Sequence, residues 1–129
     1  MKKSEADKKT TKQLLRYVVT NLIKQEKQCI KDNGCAYGDG QGNHCGVGWI
    51  LDETNEELMN FRGSAKTLVE RKNFKGKLPK TLTKDTLIWR YVQSIHDATS
   101  AKNEVLASAR DLYPEAFKSP LWTKYAERG

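Results

Sequence analysis

Cys35-Ala-Tyr-Gly-Asp-Gly-Gln-Gly-Asn-His-Cys-Gly-Val-Gly-Trp-Ile-Leu51 sets five glycines around two cysteines and closes on an apolar run. Glycine reaches backbone angles that other residues resist. Gly38, Gly40, Gly42, Gly46 and Gly48 therefore mark an unusual chain path, which usually means a tight turn or a bound ligand. The reading of this stretch decides the fold class. Taken as strands, residues 35–37 and 47–51 flank a turn at 38–43 and make a small hairpin. Cys45, Val47, Trp49 and Leu51 would then share one face, with Cys35 and Tyr37 across from it. The competing assignment starts a helix near Cys45, because a short apolar run has no period of its own. Gly46 and Gly48 weigh against that helix by about 1 kcal/mol each. At a helix N-terminus the dipole would stabilise a Cys45 thiolate, whereas a strand offers no such help.

Upstream, Leu14, Leu15, Val18, Val19, Leu22 and Ile23 recur at helical spacing, opposite Lys12, Arg16, Asn21 and Lys24. The spacing predicts an amphipathic helix from Thr10 or Thr11, as N-cap, to about Lys27, with its apolar stripe against the core. Residues 1–10 are charged and aperiodic and read as a flexible basic arm ahead of a single globular domain at 11–129. Asp32-Asn33-Gly34 breaks the helix and turns the chain. Downstream, a short helix is expected at 64–72 and a turn-like loop at 73–80. A helix capped by Thr83 should bury Leu87, Ile88, Tyr91, Val92 and Ile95, with His96 at the margin of that face and an end near Thr99-Ser100. A helix at 101–112 capped by Ser100, and a short one opened by Ser119-Pro120, complete the pattern. The expected class is α+β: a mostly helical domain of about four helices around a small β-hairpin.

With 129 residues the chain is long enough for a real core without a metal or disulfides. Charged residues make up 30% of it, the net charge is +7, and mean hydropathy is −0.76. No apolar segment follows the first lysines, and no run is long enough to cross a bilayer, so a cytoplasmic protein with no membrane role is expected. An odd number of cysteines in such a chain argues for packing, chemistry or metal binding over a disulfide framework. Basic charge concentrates at 62–84, where eight Lys and Arg face Glu70 alone. Lys75, Lys77 and Lys80 in its middle are candidate contacts for an anionic partner, a nucleotide or nucleic acid.

The order of an amphipathic helix, Cys35-Ala-Tyr, a glycine-rich turn, Cys45-Gly-Val-Gly-Trp-Ile and, much later, Gln93-Ser-Ile-His-Asp97 resembles a group of small bacteriophage and prophage proteins. The likeness covers residues 14–51 and 87–112. Those proteins tend to carry Cys-Ala-Val-Gly where Gly46 stands here. The resemblance implies a phage-type accessory protein that binds a host protein or an anionic ligand, with interference in host metabolism or defence as its role. It draws attention to Cys35, Tyr37, Cys45, His96 and Asp97.

Three chemistries compete for these residues. Cys45, His96 and Asp97 are the types a cysteine-dependent hydrolase or transferase needs, but adjacent His96 and Asp97 diverge by about 100° on a helix. A backbone cap is the plainer task for Asp97, and packing the plainer one for Cys45. Cys29, Cys35, His44, Cys45 and His96 include metal-binding types without the paired spacing of structural zinc sites, so no metal or other cofactor is expected. A bridge between Cys35 and Cys45 is disfavoured in a reducing cytosol. The glycine turn could cradle a phosphate on Gly40 and Gly42, with Tyr37 beside it, although no complete nucleotide fingerprint is present.

Overall fold

The computed structural model describes residues 1–26, 30–31, 34–97 and 101–127. The expected ends of helices at Lys27 and at Thr99-Ser100, the Asp32-Asn33 turn and Cys29 lie outside them. Among the described residues the chain forms nine α-helices. These are α1 (Lys3–Ala6), α2 (Thr11–Gln25), α3 (Glu56–Asn60), α4 (Ala65–Glu70), α5 (Lys80–Lys84), α6 (Thr86–His96), α7 (Lys102–Leu112), α8 (Pro114–Phe117) and α9 (Pro120–Glu127).

The longest, α2, follows from its sequence. Thr10 accepts from the Gln13 amide while the Gln13 side chain accepts from the Thr10 N–H, a capping box that satisfies two otherwise orphaned donors. Leu14, Leu15, Val18, Val19 and Leu22 are buried along one face. α2 packs against α8, α9 and a 3-10 turn at Val47–Ile50. The second hub, α6, touches α4, α5, α7 and the same turn. Trp89, Trp122 and Phe117 are the bulkiest fully enclosed side chains.

The expected α+β fold with a central hairpin is not what forms. Among the described residues strand pairing is confined to two residues on each side, β1 (Ile30–Lys31) antiparallel to β2 (Gly34–Cys35), plus an isolated bridge between Gly38 and His44. The chain is helical. Residues 47–50 coil instead of extending, with the Trp49 amide donating to the Cys45 carbonyl at 3.3 Å and the Leu51 amide to the Gly48 carbonyl at 3.2 Å. Burial explains the choice. Val47, Ile50 and Leu51 are all fully enclosed, and a half-buried strand would have turned Ile50 away from the face shared by the other two. Gly48 permits the coil because its Cα lies against the Tyr37 carbonyl oxygen, which would be 2.0 Å from any Cβ added there.

Other expectations need correction. The first ten residues, expected as a flexible arm, hold α1 with Ala6 buried, and the Asp7 carboxylate accepts from the Lys80 amide at 2.9 Å. Thr83 lies within α5 and does not cap the following helix, whose N-cap is Asp85. Leu87 is 43% exposed, because the core face of α6 is set by Ile88, Trp89, Val92, Ile95 and His96. Trp89 takes the central place, its indole N–H donating to the Thr81 hydroxyl at 3.0 Å. Among the described residues no helix is long and apolar enough to cross a membrane.

Candidate ligand cavity over Cys45

One stripe of α6 organises the site. At about 100° per residue, Arg90, Gln93, Ser94 and Asp97 fall on a common side of the helix, away from its core face. Together with Tyr37, Cys45 and the start of α4 they line a cavity of about 390 Å³. This volume lies within the range of small-molecule sites.

Gln93 ties the helix to the glycine-rich stretch. Its Oε1 accepts from the Val47 amide at 3.0 Å, and its Nε2 donates to Cys45 Sγ at 3.3 Å. The Gly48 amide also donates to that sulfur, at 3.3 Å. Two N–H groups thus converge on a thiol that is only 2% exposed. Gly46 lets α6 come this close, since a Cβ there would sit 2.5 Å from Val92 Cγ1 and 3.0 Å from the side-chain Oε1 of Gln93. Tyr37 donates its hydroxyl to the Gly63 carbonyl at 2.8 Å and sets its ring edge-on to Phe61. Burial, and then the neighbouring Cys45, push the phenol pKa upward, so it stays protonated.

Asp97 keeps one side in solvent, while the cavity wall takes water from its carboxyl group and raises its pKa. His96, the next residue back, turns into the core and is not part of the cavity wall. Its Nδ1 lies 2.5 Å from the Tyr125 hydroxyl of α9. Burial depresses its pKa to about 4, which keeps the ring neutral near pH 7. Of the three residues expected to act together, the cavity therefore joins Cys45 with Asp97 and leaves His96 on a different face of α6. The divergence of adjacent helical side chains is the cause.

The glycine turn lines a separate cleft of about 400 Å³. Gly40 and Gly42 hold φ values of +77° and +88°, so the turn needs glycine for its own backbone. Asp39 fills it from within, accepting from the amides of Gln41 at 2.7 Å and Asn43 at 3.1 Å. Glu53 and Glu56 line the cleft, and Glu53 approaches His44 Nε2 at 3.4 Å. The charge there opposes the phosphate cradle expected on Gly40 and Gly42. Lys75, Lys77 and Lys80 are exposed around the turn that enters α5, with Gly76 at φ +78°. Among the described residues no three His, Cys, Asp or Glu side chains are placed to hold a metal ion.

Arg90, Gln93, Ser94 and Ser64 were not among the site residues expected from the sequence. The signal for the first three was the polar recurrence on one side of a helix whose other side is apolar. The comparisons with protein families, curated proteins and solved structures find no match to this chain.

Proposed function

We propose that the protein is a phage-type accessory protein that binds a small anionic ligand of the nucleotide class in the cavity over Cys45. The observation that carries this reading is the charge order along the cavity stripe. Arg90 stands at one end and Asp97 at the other, seven positions and about 10 Å apart along the helix, with Ser94 between them and Ser64 lining the cavity from the start of α4. Arginine suits a phosphate through its planar fork of donors, and a carboxylate suits ribose hydroxyls or a base amino group. Holding a nucleotide is one way to interfere with host metabolism or defence.

The other reading, a cysteine-dependent hydrolase or transferase in which Cys45 works with His96, draws no support from a histidine that is buried against Tyr125. Calorimetric titration of the purified chain with nucleosides and their monophosphates and diphosphates tests the proposal. The phosphorylated forms should bind, and Arg90→Gln should weaken them at least about tenfold while leaving any nucleoside binding unchanged. Equal affinity for nucleoside and nucleotide, or an Arg90→Gln variant that binds as well as the parent, would sink it.

A further inference from the structure

The exposed side of α2 carries an open groove of about 460 Å³, remote in sequence from the lysine-rich segment at 62–84. Lys9, Arg16 and Lys24 supply its cations, Gln13 and Asn21 its amides, and Tyr17 an aromatic ring. No carboxylate lines it, and among the described residues none of these three cations is held in an ion pair. Lys12, one position from the groove residue Gln13, is by contrast paired with Glu115 at 3.3 Å. Arg16 and Lys24 are eight positions, or about 12 Å, apart along the helix, a reach suited to alternate phosphates of an extended strand. Tyr17 is 36% exposed, and its ring packs edge-to-face with that of Trp49, the centroids 6.4 Å apart and the planes at 82°.

We infer that this groove is a docking surface for single-stranded nucleic acid, with Lys9, Arg16 and Lys24 on the phosphates and a base stacked on Tyr17. A cationic track beside a fixed aromatic ring is the combination that binds single strands without sequence preference, because every base has a π-face. Glu5 and Glu53 lie within electrostatic reach of the Tyr17 hydroxyl and would disfavour a phosphate placed there. The surface is independent of the cavity over Cys45, and its failure would leave that reading untouched.

Fluorescence anisotropy of a labelled oligothymidylate of about 16 nucleotides, long enough for one site, measures the interaction across a salt series. The triple variant Lys9→Gln, Arg16→Gln, Lys24→Gln should bind at least about tenfold more weakly. Its slope of log affinity against log salt should be shallower by about 2, since each phosphate contact on a single strand contributes about 0.7. Tyr17→Leu should lose several-fold in affinity with its salt slope unchanged, the mark of a stacking contact. Lys75→Gln, Lys77→Gln, Lys80→Gln serves as the comparison and should lose less than the α2 triple variant. All these side chains are at least a third exposed, and circular dichroism would confirm that each variant keeps its helices. The inference is overturned if the oligonucleotide does not bind at low salt, if the 75/77/80 variant loses as much as the α2 variant, if Tyr17→Leu binds like the parent, or if a duplex binds more tightly than the single strand.

Discussion

α2 and residues 35–51 are about equally long and both place side chains in the core, yet they are specified in different ways. α2 carries its instructions within itself: a capping box at one end, a helical stripe of aliphatic side chains, and charge on the other face. Residues 35–51 depend on partners elsewhere. The 3-10 turn exists because Gly48 can lie on the Tyr37 carbonyl, because Gly46 can lie on Val92, and because Gln93 reaches across to take the Val47 amide. A locally coded element tolerates single losses, whereas one assembled from distant contacts concentrates its stability in a few atoms.

The largest test of that contrast is Gly48→Ala. Its Cβ would meet backbone, which cannot swing aside as a flexible side chain can, so a loss of about 3 kcal/mol or more is expected in urea unfolding. A cost below 1 kcal/mol would mean that the turn is not held by this approach.

Next in size is a pH effect from His96. Its folded pKa of about 4 lies below the ordinary 6.5, so the unfolded chain binds the proton more readily. Stability should therefore be complete above pH 6.5 and should fall as pH drops toward 4, by up to about 3 kcal/mol in all. Asp97, whose pKa is raised, acts in the opposite sense as it takes up a proton. Unfolding midpoints measured across this range should show the acid loss in the parent and a much flatter profile in His96→Gln. An unchanged profile in that variant would place the titrating group elsewhere.

Gln93→Ala removes one donor from Cys45 and leaves the buried Val47 amide without its acceptor, so about 1 to 3 kcal/mol should be lost. Gln93→Glu separates the two bonds, since it keeps an acceptor for Val47 but offers Cys45 no amide donor. Hydrogen exchange at Val47 should be faster in Gln93→Ala and slow in Gln93→Glu. The smallest effect belongs to α2 itself. Thr10→Ala should cost about 1 kcal/mol and fray only the first turn, as an N-cap loss generally does.

The same contrast explains what could be read from the residues. The start of α2 and its buried stripe follow from spacing and capping chemistry between neighbours a few positions apart, and the short helix expected at 64–72 forms as α4 at 65–70. The hairpin expected at 35–51 fails because turn residues and a short apolar run are silent on what packs against them. Full burial of Val47, Ile50 and Leu51 is a property of the surrounding helices. His96 and Asp97 illustrate both sides. Their divergence was legible from helical geometry, but Tyr125 as the histidine's neighbour, 29 positions away, was not. Nor was the cavity, whose wall joins residues 36–37, 45, 63–65, 90, 93, 94 and 97 from separate parts of the chain.

The α6 stripe has a bearing on how such a protein can change over generations. Gln93 is bound into the structure at both ends of its amide, whereas Arg90, Ser94 and Asp97 face the same cavity without that duty. Replacing Arg90 would alter the charge offered to a ligand, and replacing Ser94 or Asp97 its hydrogen-bonding groups, while the clasp on residues 45–47 stays closed. The charge and hydrogen-bonding character of this cavity can therefore drift at three positions of a single helix, with the neighbouring Gln93 keeping the architecture constant beneath it.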